Sequence, residues 1–218
     1  MEIKEIQVLT DDLKGTEDFY TNVLEFKLIS KAHNIISFLI GNSTLTFIKS
    51  HKQNPNYHFA FNIPHNHLDS AIIWSRSKLT LLKNEDNEII SNFECWNSKA
   101  IYFYDNNNNI LEFIARFDLE NESENEFDSA SIIAISEIGI VTEEPLKFAN
   151  QLIESNNLNF FEKGTQSEQF VSIGNDNGLL IIVKKERKWY PTEINAAPHF
   201  TRIKYITNGL TNEINIRT

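Results

Sequence analysis

Apolar and polar positions alternate from the start of the chain. In Glu5-Ile-Gln-Val-Leu-Thr-Asp-Asp12, Ile6 and Val8 occupy one face while Glu5, Gln7 and Leu9 occupy the other. This period of two predicts a β-strand. The run ends in acidic residues, after which Phe19, Tyr20, Val23 and Leu24 recur at helical spacing, with Thr10 or Asp12 placed to cap the helix. The same order returns as Glu137-Ile-Gly-Ile-Val-Thr-Glu-Glu144, with Glu137 standing 132 positions after Glu5. There Pro145 suits a first helical turn, and Leu146, Ala149, Leu152 and Ile153 form the apolar stripe. A third start, Tyr57-His-Phe-Ala-Phe-Asn-Ile-Pro64, leads to a helix carrying Leu68, Ile72 and Ile73.

The chain therefore reads as α+β, built from three strand–helix–strand–strand–strand (βαβββ) units over residues 1–51, 57–116 and 133–185. Their last strands also match, in Leu45-Thr46-Phe47, Leu111-Glu112-Phe113 and Leu180-Ile181-Ile182. Asp118–Asp128, acidic and poor in apolar residues, reads as a solvated linker. After the third unit come Trp189-Tyr-Pro-Thr192 and two short strand candidates, 199–206 and 213–216.

Residues 100–116 hold the most specific pattern. Two β-prone runs flank four consecutive asparagines, which tolerate the conformations of a tight reversal. In the returning strand Leu111 and Phe113 point one way, and Ile110, Glu112 and Ile114 the other. A carboxylate within such a strand is costly unless it meets water, a partner or a metal. This hairpin, together with the repeat, resembles the vicinal oxygen chelate superfamily, which includes glyoxalase I, extradiol dioxygenases and bleomycin- and fosfomycin-resistance proteins. The start from Ile6 to Tyr20, followed by Val23-Leu24, is similar to the glyoxalase opening. Departures are Asn in place of the family's usual Pro and Gly in the loop between Asp105 and Asn109, and Glu25 in place of Gly.

The resemblance implies that two units pair into one curled sheet around a cavity. Residues 1–116 are then the glyoxalase-like domain, 117–132 an acidic linker, and 133–218 a third module with extra C-terminal strands. It also implies that metal ligands come from the first and last strands of paired units, places held by Glu5, Thr46, His58 and Glu112. A carboxylate in the place of the first histidine, and a threonine in that of one glutamate, depart from both glyoxalase I and the extradiol dioxygenases. Ile181 leaves Glu137 without a partner in its own unit, so Glu137 is expected to be structural.

If the bulky strand faces meet the helices, then Glu5, Gln7, His58, Asn62 and Glu112 face the cavity. Two carboxylates and one imidazole suit a divalent metal (Fe, Mn, Zn or Ni) with open positions for substrate oxygens. His58, Glu112 and Glu5 are the expected ligands. Glu5 or Gln7 would serve in proton transfer or substrate contact, Asn62 and Asn97 as orienting groups, and Trp96 as an apolar wall. The competing reading has no metal: the glutamates pair with Lys or Arg, or His58 hydrogen-bonds Glu112. His33, His51, His65, His67 and His199 read as loop residues, and Cys95 as a packed thiol. Arg187-Lys-Trp-Tyr-Pro-Thr192 is expected to anchor its aromatics on the third unit; alternatively it reaches over the cavity, where Arg187 or Lys188 neutralises an acidic substrate.

Composition narrows the function classes. A formal charge of −10 over 218 residues, with no basic cluster, disfavours nucleic acid and anionic membranes as partners. The lone Cys95 excludes an intrachain disulfide and a Cys-rich zinc site. No apolar run approaches the ~20 residues of a membrane span, and the start lacks a signal-peptide pattern, so a cytoplasmic protein is expected. The 16 phenylalanines fit a core or an aromatic cleft. The functions in view are a metal-dependent lyase, isomerase or dioxygenase acting on a small oxygenated molecule, a metal-free binding protein of the bleomycin-resistance type, and a regulatory module whose site has decayed. The third unit's open sheet edge motivates a homodimer or packing on the first domain.

Overall fold

The computed structural model describes residues 1–50 and 54–217, so His51 lies outside the described residues. The first unit comprises β1 (Glu2–Thr10), α1 (Leu13–Asp18), β2 (Lys27–Ala32), β3 (Ile35–Ile40) and β4 (Ser43–Lys49). Asp12 caps α1 by accepting from the Gly15 amide at 2.9 Å, and a π-helical turn, Phe19–Val23, carries Tyr20 into the core. The second unit comprises β5 (His58–Ile63), α2 (Leu68–Arg76), β6 (Ser91–Phe93), β7 (Ser98–Tyr104) and β8 (Ile110–Arg116). The third comprises β9 (Ala134–Thr142), α3 (Pro145–Asn156), β10 (Phe170–Asn175) and β11 (Gly178–Lys184). Its expected second strand is reduced to one bridge between Phe160 and Ile173. A C-terminal hairpin, β12 (Thr201–Thr207) and β13 (Leu210–Ile216), completes the 13 strands among the described residues. The protein is α+β and mostly strand, as the repeat implied.

Within each unit the first and last strands lie side by side and parallel. Gln7 faces Thr46, Ala60 faces Glu112, and Gly139 faces Ile181 across these ladders. Between units, the sheet pairing differs from the expected union of residues 1–116. The second and third units share a seven-stranded sheet, β10-β11-β9-β5-β8-β7-β6, joined where β5 runs antiparallel to β9. The first unit pairs with the C-terminal hairpin instead, in the order β13-β12-β1-β4-β3-β2. Every strand edge needs a partner, and the alternating pattern is equally compatible with either neighbour. The edge of β9 that motivated a dimer is filled by β5 of the same chain.

One contiguous core joins the two sheets and the helices, with Ile6, Val8, Phe47, Phe59, Phe61, Phe113 and Ile138 at its centre. A second, smaller apolar cluster covers the opposite face of the seven-stranded sheet and includes Ala60, Ile110, Ile114, Ile181 and Trp189. Burial on both faces explains why every residue of β5 and of β8 is buried. On α2 the buried positions are Leu68, Ala71, Ile72 and Ser75, while Ile73 faces solvent. The acidic linker lies along the second unit: Asn121 accepts from the His65 amide, and Phe127 packs on Trp74 and Phe113. Among the described residues no helix is long and apolar enough to cross a membrane.

Candidate metal centre

Strands β5, β8 and β9 are neighbours, and each contributes a polar residue to a group on the face away from the main core. These are His58, Glu112 and Glu137, all buried, with their potential ligand atoms within 4.8 Å of one another. Glu137, expected to be structural, is thus the third member, in the place assigned to Glu5. The 132-residue repeat already made Glu137 the counterpart of Glu5. Its partners lie in the adjacent unit, across the β5–β9 seam, and not at Ile181.

His58 is held in one orientation. Its Nδ1 lies 3.1 Å from the Ile110 carbonyl oxygen. A carbonyl only accepts, so Nδ1 carries the proton, and Nε2 is left facing two carboxylates. Nε2 lies 3.6 Å from Glu112 and 3.9 Å from Glu137, too far for the expected direct hydrogen bond. Burial lowers the His58 pKa, but the two glutamates and Ile110 outweigh it and the net direction is upward. Burial pushes Glu112 up to about 8, reinforced by the charge of Glu137 and opposed by His58, the Tyr102 hydroxyl and Arg116.

A buried arginine completes the electrostatics. Arg116, at the end of the hairpin strand, donates to one oxygen of Glu137, lies 3.6 Å from Asp176, and donates from Nε to Ser136 at 3.3 Å. Lys163 in turn bridges Asp176 and Asp118 at 2.6 and 2.7 Å. Arg116 therefore occupies one oxygen of Glu137 and leaves the other directed toward His58. A strand-end cation of this kind looks solvated in the sequence, and only the fold reveals its role.

Above the group is a cavity of about 460 Å³. Its walls are largely aromatic, from Phe93, Trp96, Tyr102, Phe170, Trp189 and Tyr190, and Ile181, the third unit's counterpart of Glu112, supplies an apolar side. The segment 187–190 combines the two expected roles. Arg187, Trp189 and Tyr190 line this cavity, which lies over the second and third units rather than the first, and the Trp189 ring packs on Gly139 of the third unit. Trp189 is also an anchor, buried against His58 with ring centroids 5.4 Å apart.

The remaining expected site residues lie elsewhere. Glu5 and Gln7 are in the six-stranded sheet, because the first unit pairs with the C-terminal hairpin. Glu5 is ion-paired to Lys204 at 2.7 Å, and accepts from Gln7 at 2.8 Å and Thr46 at 3.2 Å. A lysine ammonium thus neutralises the carboxylate expected to bind metal. Asn62 is buried at the far end of β5, donates to the Asp176 carbonyl at 3.3 Å, and does not line the cavity. Trp96 does line it. Asn97 is exposed, holds a left-handed turn at φ 47°, and donates to Asp118 at 2.7 Å, which makes it a turn residue. Cys95 is exposed on a short 3-10 turn, not packed as expected. His65 is tied to Glu122 and the linker.

A family model for the Glyoxalase/Bleomycin resistance protein/Dioxygenase superfamily matches residues 2–113. The chain belongs to this superfamily. A solved structure of a proposed dioxygenase from Bacillus subtilis subsp. subtilis str. 168 is 15% identical, with a TM-score of 0.64 over 99% of this chain and 84% of that one. It supports the superfamily fold along the whole length. Shorter matches include a lactoylglutathione lyase from Agrobacterium tumefaciens, at 20% identity and TM-score 0.42 over 51% of this chain and 90% of that one. The fosfomycin resistance protein FosX from Mesorhizobium loti matches at 19% identity and TM-score 0.37, over 51% of this chain and 88% of that one. No curated protein sequence matches significantly.

The superfamily typically binds a divalent metal, and this donor set fits one. The His58 imidazole turns Nε2 toward Glu112 and Glu137, its other nitrogen hydrogen-bonded to a backbone carbonyl as in metal-binding histidines generally. A divalent cation there would take the place of the protons whose binding is favoured at Glu112 and His58.

Proposed function

We propose that this protein is a divalent-metal-dependent enzyme, of lyase, isomerase or dioxygenase type, acting on a small oxygenated molecule in the aromatic cavity. The observation that carries the reading is His58, whose Nδ1 is held by the Ile110 carbonyl and whose Nε2 is set 3.6 and 3.9 Å from the carboxyl groups of Glu112 and Glu137. His58, Glu112 and Glu137 would hold Fe, Mn, Zn or Ni; when bound, the metal supplies positive charge that polarises oxygens of the substrate. Arg116 orients Glu137 by donating to one of its oxygens. Tyr102, directly across the ladder from Glu112, hydrogen-bonds that carboxyl and restrains its rotation. The aromatic walls exclude water and leave an apolar body facing the charged floor. A cytoplasmic location belongs to the same reading.

The test is metal content by mass spectrometry on tag-free protein after supply of each metal. Near-stoichiometric metal is expected in the wild type and in Glu5→Ala. His58→Ala, Glu112→Ala and Glu137→Ala should each lose it by at least about tenfold. Retention in all three variants would sink the assignment. One observation favours a second reading, a metal-free binding protein: Ile181, the third unit's counterpart of Glu112, lines the cavity without offering a donor. Wild type that stays metal-free after reconstitution would favour it.

A further inference from the structure

Arg187 lines the cavity, half-buried, with its guanidinium carbon 5.3 Å from the Phe170 ring centroid. Its one hydrogen bond goes to the Lys188 carbonyl at 3.3 Å, and no carboxylate among the described residues forms an ion pair with it. Its neighbour Lys188 is exposed and satisfied by Glu193. In a chain of net charge −10, a partly desolvated arginine without a counter-ion is unusual. Two residues on, Trp189 is 3% exposed, and its indole Nε1 has no partner among the described residues. One short segment therefore brings a planar cation and an indole wall to the same cavity.

The rest of the cavity restricts what such a cation can meet. Its floor carries the carboxyl groups of Glu112 and Glu137. Its sides are the faces and edges of Phe93, Trp96, Phe170 and Tyr190, arranged for a flat apolar body. We propose that the cavity takes an aromatic carboxylate, with its ring between these side chains and its anionic group held by Arg187. Arg187 then determines specificity: it is placed to bind a carboxylate through two parallel N–H donors, and it offsets the long-range repulsion of an acidic protein. This inference rests on reading the cavity as the substrate site, but not on the metal.

The experiment is isothermal titration calorimetry on the full chain, with 2-naphthoate, the neutral 2-naphthamide and the non-aromatic cyclohexanecarboxylate as probes. Each is titrated into chelator-treated protein and into protein supplied with Mn or Zn. Wild type is expected to bind naphthoate at least about tenfold tighter than naphthamide, the discrimination of one charge-assisted pair. Cyclohexanecarboxylate should bind more weakly than naphthoate. Arg187→Gln should bring the naphthoate-to-naphthamide ratio to near one, Arg187→Lys should keep part of it, and Lys188→Gln should keep all of it. Unchanged urea midpoints identify folded variants. Equal wild-type affinities, no binding of either naphthyl probe, or a preference that survives Arg187→Gln would overturn the proposal. A preference in protein that takes up no metal would fail the metal reading alone; metal uptake without a preference would fail this inference alone.

Discussion

Glu112 has a pH dependence opposite to that of an ordinary surface carboxylate. Its pKa in the folded, metal-free protein is raised from 4.5 to about 8. Between those values the folded chain holds a proton that the unfolded chain has released, so stability falls as pH rises across the window. His58 adds to the trend: its raised folded pKa stabilises fully below its unfolded value of 6.5, and that contribution is lost as pH rises through the folded value. Glu112→Gln should therefore raise the Tm of chelator-treated protein at pH 9, by the equivalent of a few kcal/mol, and much less at pH 5. Metal should bind more tightly as pH rises, because its ligands bind deprotonated. Thermal scans at both pH values, with and without metal, check this; an equal shift at pH 5 and pH 9 would contradict it. Glu112 and His58 were legible in the sequence as polar residues inside apolar strands. Glu137 was equally visible, but its meaning depends on a strand 79 positions away, Phe59 opposite Ile138, that no local pattern specifies.

The elements themselves followed the pattern closely. The asparagine-rich hairpin forms, with Asn108 at φ 60° and Asp105 accepting from the Asn107 and Asn109 amides at 2.8 and 2.9 Å. The 187–190 segment was harder to read, because its docking depends on a missing side chain in another unit. An added Cβ on Gly139 would lie 2.5 Å from Cη2 of Trp189 and 3.1 Å from the His58 carbonyl oxygen. In the first unit the equivalent residue is Gln7, so the glycine appears only where an indole must lie flat on the sheet. Gly139→Ala is expected to destabilise by about 1–3 kcal/mol through overpacking, and to displace Trp189 from the cavity wall. In a Trp189→Ala background the same substitution should cost far less, because the clashing ring is gone. Urea unfolding of the two single variants and the double variant measures that coupling. Purely additive effects would mean that Gly139 and Trp189 are independent.

At the scale of the molecule, sequence pattern specified the modules but left their pairing open. Alternation tells which face of β1 is buried, and Ile6 and Val8 are indeed in the core; it does not tell whether the outer edge of β1 meets β5 or β12. That choice decides the site, since it separates Glu5 from His58 and leaves Lys204 to neutralise Glu5. It also makes the C-terminal hairpin a structural equivalent of a fourth unit. Ile203, Tyr205 and Ile214 from this hairpin are buried in the common core. The Tyr57 hydroxyl, just before β5, donates to the Phe200 carbonyl at 2.9 Å and accepts from the Leu9 amide at 3.0 Å. At about 1.5–3 kcal/mol for each buried side chain, these three alone rival the whole stability of a typical domain. A chain shortened to end at Pro198 loses no member of the His58–Glu112–Glu137 group and leaves the seven-stranded sheet with every strand present. If the two sheets were independent, it would still bind metal and unfold cooperatively. Because they share one core, the shortened chain is expected to lose its cooperative thermal transition and its metal together. Circular dichroism melting and metal content on the same preparation decide between these outcomes, and a soluble, metal-replete shortened chain would show that the six-stranded sheet is dispensable to the site.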